Sequence, residues 1–463
     1  MNQRDFPETY RNDFPSLQRR RNGKPPVYLD NACTTLVPRQ VISALNEYYT
    51  DFPACGGRRS RHWFAVEATE RIEGNPENGI PGARRAIAEF IGAGPEREII
   101  FTLNATHAVN VVAGGFRFSP GDVVLLTDRE HNSNLLPWLQ LRKRGLITVD
   151  HMAAGRREDS DTGDSGTGDF DLEAFERRLS AGPVRLVSMA WTSNVTGVTL
   201  PAQEIIAIAH RHGALVLLDG AQTVPHQPVD VRSLDVDFLA FSLHKMCGPR
   251  GVGILCVRKN LLGTGTEERW SLERPDSGPV IEPTVLGGGT VSDTTHDSYR
   301  LLDGSERFEA GIQNYAGLIA SGTAVEYLRG IGMDQIGDQE RRLNEHLTRG
   351  LQERFGTESW LRIIGPPEAA KRGGILTFEV KRPNAMGIAK ELDIRNNIMI
   401  RDGVFCVHSY FNELYGKGWT RPLSHRDHRM IYRVSLYFYN TIGECELFLD
   451  TLDEVFRERS YIT

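Results

Sequence analysis

Phe241-Ser-Leu-His-Lys-Met-Cys-Gly-Pro-Arg-Gly-Val-Gly253 places Lys245 directly after an apolar strand and before a glycine-rich turn. A lysine held at a strand end, out of bulk water, gives up its proton readily and forms an imine with an aldehyde. Upstream, Ala214-Leu-Val-Leu-Leu-Asp219 ends a second apolar run in a carboxylate, followed by Gly220-Ala-Gln222. A lysine and a carboxylate at adjacent strand ends suit pyridoxal phosphate. The lysine holds the aldehyde carbon, and the carboxylate keeps the pyridine nitrogen protonated so that the ring withdraws electrons.

Outward from this stretch, the chain alternates strand-like and helix-like runs. Strands are expected at Glu98–Thr102, Asp122–Thr127, Val184–Ala190, Ala214–Asp219, Val236–Ser242 and Val252–Val257, with amphipathic helices such as Gly82–Ile91 and Gln203–His212 between them. Such alternation predicts a mainly parallel sheet covered on both faces, with ligands at the carboxyl ends of the strands. A long helix is expected from Asn314 to Gly330, followed by a smaller α+β unit with strands near Gly374–Val380 and Ile431–Tyr437. The expected divisions are a polar arm over residues 1–25, a large domain over 26–315, and a small C-terminal domain over 316–463. Ala154–Asp169, rich in Gly, Ser and Asp, reads as a surface insertion. Gly74–Gly82 reads as a break in what is otherwise one helix from Val66 to Ile91.

Composition narrows the function. The 463 residues carry a formal net charge of -6, which leaves no basic footprint for nucleic acid or an anionic membrane. No apolar run approaches the ~20 residues of a membrane span, and the first residues lack a secretory apolar core. The six cysteines form no C-x-x-C pair, which argues against a disulfide framework or a structural zinc site. A reducing cytoplasm follows, with no metal expected. Cys33 and Cys55 read as core or loop residues.

Further motifs gather toward the same strand ends. His131 lies in Asp128-Arg-Glu-His-Asn-Ser-Asn134, and Asn194 in Trp191-Thr-Ser-Asn-Val-Thr-Gly197. Thr106 lies in Asn104-Ala-Thr-His107, where helix N-terminal amides face an anion. Thr106 and Ser242 also suit ordinary cap or turn positions. With Asp219-Gly-Ala-Gln222 and the Lys245 stretch in this order, nearly the whole chain, from Tyr28-Leu-Asp-Asn-Ala32 to Arg433-Val-Ser-Leu-Tyr437, resembles the class V aminotransferase branch of the fold-type I pyridoxal phosphate enzymes. Within that branch it resembles the cysteine desulfurases. The resemblance implies an α/β large domain with a mixed, mainly parallel seven-stranded sheet, and a smaller α+β C-terminal domain carrying Cys406.

It also implies roles. Lys245 is the Schiff-base lysine, Asp219 the pyridinium partner, and Gln222 the partner of the phenolic oxygen. His131 stacks on the ring and assists proton transfer. Ser242, His244, Ala105 and Thr106 surround the phosphate, although Ala105 replaces a usual threonine. Asn31, Asn194 and Arg433 bind the substrate, whose carboxylate suits the planar fork of an arginine. Arg401-Asp-Gly-Val-Phe-Cys406 matches the short R-x-G-x-x-C frame of the group II (SufS-like) enzymes, in which the cysteine takes sulfur from L-cysteine as a persulfide. Arg401 and His408 are candidates to favour its thiolate. A homodimer and a sulfur-acceptor protein are implied, with selenocysteine as an alternative substrate.

The chain departs from the pattern at Ile312, where many relatives have a threonine that reaches the partner's phosphate, in the breaker over residues 75–81, and in the long Val407–Met430 segment, which suits a lid or an acceptor contact. Arg58, Arg59 and Arg61 suit either a solvated face or an anion of the neighbouring subunit. Two other readings fit these residues. One is a different class V enzyme (a C–S or C–Se lyase, an epimerase or an aminotransferase) with Cys406 structural. The other is a cofactor-binding scaffold that works only with a partner.

Overall fold

The computed structural model describes residues 6–57, 60–155, 169–262, 280–419 and 429–462. Most of the Ala154–Asp169 insertion, Arg58 and Arg59, and residues 420–428 of the segment after Cys406 lie outside the described residues.

Apolar runs form a seven-stranded sheet: β1 (Arg97–Thr102), β2 (Val123–Thr127), β3 (Thr148–Met152), β4 (Val184–Ala190), β5 (Leu215–Asp219), β6 (Phe238–Ser242) and β7 (Gly253–Arg258). Their spatial order is β1-β7-β6-β5-β4-β2-β3. All neighbours are parallel except β7, which runs against both β1 and β6. Successive side chains divide between two cores, as the period of two in a strand requires. Val123 and Leu125 join one core, and Val124 and Leu126 the other. β2 and β6 are buried at every position, because helices cover both faces. The edge strand β3 was not foreseen. Only Val149 of its five residues is buried, so it lacks the apolar run that marks the others.

The expected break over residues 75–81 separates α1 (Trp63–Glu73) from α2 (Ala83–Phe90). Asn75 and Ile80 exchange backbone hydrogen bonds of 2.8 and 2.9 Å across it. Gly82 closes the turn at φ 72°, where a Cβ would sit 2.2 Å from the Gly74 nitrogen, so only glycine fits. Helix α3 (Ala105–Gly115) follows β1, and α4 (Tyr315–Ile331) packs on α2 and feeds Leu318, Ile319 and Val325 into the first core.

A second sheet is antiparallel: β8 (Leu361–Ile363), β9 (Ile375–Val380), β10 (Arg401–Asp402) and β11 (Met430–Ser435), in the order β8-β9-β11-β10. Leu376, Phe378, Tyr432 and Val434 of this sheet share a core with Leu343, Leu347 and Phe448 from flanking helices. Val27 and Leu29, from the other end of the chain, enter the same core. The segment Val27–Tyr28 pairs in parallel with Ile398–Met399, and Asp30 bridges to Ser435. This stitching carries residues 30–33 to the boundary between the two sheets. Among the described residues, no helix is long and apolar enough to cross a membrane.

Candidate active site

The carboxyl ends of the parallel strands surround a cavity of about 240 Å³. β5 ends in Asp219 and leads to Gln222, and β6 ends in Ser242 and leads through one tight turn to His244 and Lys245. His131 follows β2, Asn194 follows β4, and Ala105 and Thr106 open α3 after β1. All of them line the cavity, together with Arg433 and Cys406 from the smaller unit.

Asn31 does not line it. Its side-chain nitrogen donates to the Ser435 carbonyl at 2.8 Å and to Asn440 Oδ1 at 3.1 Å, and its oxygen accepts from the Tyr439 hydroxyl. With its amide committed and fully buried, Asn31 fastens the segment and leaves no group for a substrate.

Burial sets the protonation states. It pulls the Lys245 ammonium below its ordinary range, aided by Arg433 and opposed by Asp219. Burial raises the Asp219 carboxyl, against the attraction of Lys245 and a 3.0 Å hydrogen bond from the Ala221 amide. A buried carboxylate so sparsely compensated fits a cationic N–H facing it. Burial also pushes His131 down to about 3, with Lys245, Arg433 and His408 adding repulsion, and pushes His244 down to about 4. Both imidazoles are therefore neutral at ordinary pH. His131 Nδ1 accepts from the Ser133 amide at 3.1 Å, so the neutral ring carries its proton on Nε2. The Ser133 hydroxyl joins His131 Nδ1 at 2.9 Å to Thr106 Oγ1 at 2.6 Å.

One end of the cavity is built on the start of α3. Asn104 caps it, accepting from the His107 amide at 2.9 Å, and Ser242 Oγ accepts from the Ala105 amide at 2.7 Å. The amides of an eleven-residue helix start, with two hydroxyls beside them, form an anion cradle. On the opposite wall, Gln222 donates to the Ala32 carbonyl at 2.7 Å while its Oε1 is buried with no partner. A buried acceptor left open costs ~1–3 kcal/mol, so the wall suits a ligand that brings a donor there. Amine, carboxylate, orphan amide oxygen and anion cradle together fit pyridoxal phosphate.

The wall contributed by the smaller unit centres on Arg433, only 2% exposed. It donates to Asp30 Oδ1 and to the Asn194 carbonyl, both at 3.1 Å, and its guanidinium lies 4.7 Å from the Phe405 ring centroid. Its Nε is buried without a partner. Asn194 in turn donates to the Phe405 carbonyl at 2.9 Å. The two groups suited to a carboxylate are thus fastened to the loop that presents Cys406.

That loop is held in an uncommon conformation. Phe405 and Cys406 have φ of 47° and 60°, in the left-handed region that costs a side-chain-bearing residue ~1–2 kcal/mol each. The Asn132 amide, which donates to the Cys406 carbonyl at 2.8 Å, helps to offset this. So does an aromatic cluster of Phe405 with Tyr410, Phe411 and Tyr415 of helix α5 (His408–Tyr415), and with Trp419. The described part of the long segment after Cys406 is therefore a buttress for the loop. Cys406 itself is exposed. His408 meets the Asn132 amide side chain at 3.1 Å. Arg401 aims its guanidinium at a different thiol, donating to Cys33 Sγ at 3.1 Å.

Cys33, Ser133 and Thr192 are cavity residues that sequence patterning missed. The only local signal for Cys33 was its place directly after Ala32. Cys55, by contrast, does not line the cavity.

The family model for class-V aminotransferases matches residues 27–448. A probable cysteine desulfurase of Synechocystis sp. is 35% identical over 97% of this chain and 95% of its own length. A cysteine desulfurase of Haloferax volcanii is 32% identical over 96% of each. The apo structure of a cysteine desulfurase from Thermococcus onnurineus superposes with a TM-score of 0.80 at 31% identity, covering 98% of both chains.

Proposed function

Because the chain belongs to the class-V aminotransferase family, we propose that it is a pyridoxal-phosphate-dependent cysteine desulfurase, converting L-cysteine to L-alanine and holding the sulfur as a Cys406 persulfide. The observation that carries this is one cavity shared by a half-buried lysine, a buried carboxylate and an exposed cysteine. When bound, the cofactor supplies an electron sink for the substrate's α-carbon.

Lys245 would hold the cofactor's aldehyde end, and its Nζ, as a neutral amine, would take the substrate's α-proton. Its lowered pKa favours that neutral form. Asp219 would hold the pyridine nitrogen, Gln222 the phenolic oxygen, and the α3 start with Ser242, Thr106 and His244 the phosphate. Arg433 and Asn194 orient the substrate carboxylate. His131 would cover the ring and, with its proton on Nε2, would donate toward the reacting centre. The Cys406 thiolate attacks the substrate sulfur, and the left-handed turn at Phe405 and Cys406 sets its approach.

Exposure of Cys406 supports delivery of the sulfur to an acceptor protein. Leu103 and Ile312, 60% and 69% exposed, flank one surface depression and support pairing of two copies. Six unpaired thiols support a reducing, cytoplasmic location.

The deciding experiment follows alanine formation from L-cysteine in wild type and Cys406→Ala, with reductant present. The expected result is a drop of ~100-fold or more with cofactor absorbance retained. Undiminished alanine formation in the variant sinks the persulfide step.

A further inference from the structure

Two of the six thiols share the cavity. Cys247, Cys256 and Cys445 are buried, and burial raises their pKa values, which leaves them as inert packing. Cys55 lies outside the lining. Cys33 and Cys406, however, arrive at one chamber from opposite ends of the chain. The Cys33 sulfur accepts a 3.1 Å hydrogen bond from Arg401, the residue that opens the loop ending in Cys406. The guanidinium thus sets a fixed positive charge against the Cys33 sulfur, inside the same chamber as Cys406. Lys245 and Arg401 each feel charge on both sulfurs, so the two thiols lie within the range of the same two cations. Asp30, 3.5 Å from Arg401 and 3.1 Å from Arg433, holds these guanidinium groups on the Cys33 side of the chamber.

Building on the Cys406 persulfide, we propose that Cys33 is a second sulfur-carrying site that takes the sulfur from Cys406. The Cys33 thiolate attacks the outer sulfur of the persulfide. A new S–S bond forms on Cys33, the old S–S bond breaks, and its electron pair leaves with the Cys406 thiolate. One persulfide is exchanged for another, so no outside oxidant or reductant enters. Arg401 supplies the positive charge beside the attacking sulfur. Cys406 is then free for another substrate, and each protomer stores a second sulfur before any acceptor arrives.

The test uses holoenzyme freed of reductant and given excess L-cysteine. Alanine released in the initial burst is counted, and the Cys33 and Cys406 peptides are weighed by mass spectrometry. The expected result is a burst of about two alanines per protomer with added sulfur on both peptides. Cys33→Ala and the closer mimic Cys33→Ser should each give about half that burst, with sulfur on Cys406 alone. In Cys406→Ala, Cys33 should stay unloaded, because its only source is gone. A wild-type burst that matches Cys33→Ser, with sulfur on Cys406 only, overturns the relay and leaves the desulfurase assignment standing. Loading of Cys33 in Cys406→Ala also overturns it, since the sulfur then arrives from solution. An alanine burst in Cys406→Ala equal to wild type removes the persulfide assignment and the relay with it.

Discussion

The strand-end wall and the Cys406 loop meet at one cavity but are built on opposite principles. Asp219 and Ser242 close strands buried almost throughout, and Lys245 lies one tight turn beyond. The thiol stands exposed on a short segment held by two left-handed residues and an aromatic cluster. Proton abstraction needs fixed geometry and a dry amine, which a packed sheet supplies. Sulfur handed to an acceptor, as proposed above, needs a group that reaches solvent.

The largest expected effect removes the wall's central group. Lys245→Ala should lower alanine formation by ~10³-fold or more, with loss of the cofactor's lysine-bound absorbance and of sulfur on Cys406. Persistent sulfur loading in that variant would make the loop independent of the wall.

Next comes the loop's support. Phe411→Ala opens a hole beside Phe405 and should lower alanine formation by ~10–100-fold through misplacement of the thiol, with cofactor content and absorbance unchanged. If cofactor binding falls in step with activity, the two regions are one unit and the contrast drawn above is wrong.

A smaller effect is expected where the regions touch. Ser133→Ala cuts the hydroxyl link between His131 and Thr106 but keeps the backbone donor to Nδ1. We expect a roughly 10-fold loss in kcat with KM for L-cysteine little changed, and recovery in Ser133→Thr. A pure KM effect would move Ser133 from proton handling to binding.

The smallest effect on activity lies behind the wall. Glu130 is fully buried and accepts from Thr127 Oγ1 at 2.6 Å, Asn134 at 2.7 Å and the Ala190 amide at 2.8 Å. Burial, with repulsion from Asp219, raises its pKa from 4.5 to about 7 against those donors. A carboxyl whose folded-state pKa is raised stabilises the fold fully only below about 4.5, and that contribution is lost as pH climbs through about 7. Wild type should therefore lose ~3 kcal/mol relative to Glu130→Gln across this window, read from denaturant midpoints at several pH values. A constant difference between the two proteins would show that Glu130 is ionised throughout.

Most of the sheet was legible because its strands are near-continuous apolar runs ending in polar motifs, as at Val184–Ala190, whose limits the structure reproduces. β3 was not, since an edge strand with one buried residue carries no such run. Lys245, Asp219 and His131 announced themselves through their position after a strand. The parts of the site set by distant contacts did not. Cys33 owes its place to Arg401, 368 residues away, and Asn31 is turned from the cavity by Ser435 and Asn440. Ser133 is two residues from His131, but its partner Thr106 lies on another element. Motif spacing records what a strand delivers to its end; it is silent on which side chains fold back to fasten the frame.

The pairing of Val27–Tyr28 with Ile398–Met399, and of Asp30 with Ser435, has a consequence for the order of biosynthesis. Chains emerge from the ribosome beginning first. The strand-end wall is complete once β7 has been made, but the segment bearing Ala32 and Cys33 has no strand to lie against until almost the whole polypeptide is out. Until then Ala32, whose carbonyl Gln222 meets, is tied to the wall only through Thr34 and Thr35, which each bond the His244 carbonyl at 2.9 Å. A nascent chain thus carries Lys245 in a half-open cleft, and retention of the cofactor becomes a late event, coupled to the arrival of the same C-terminal segments that bring Cys406.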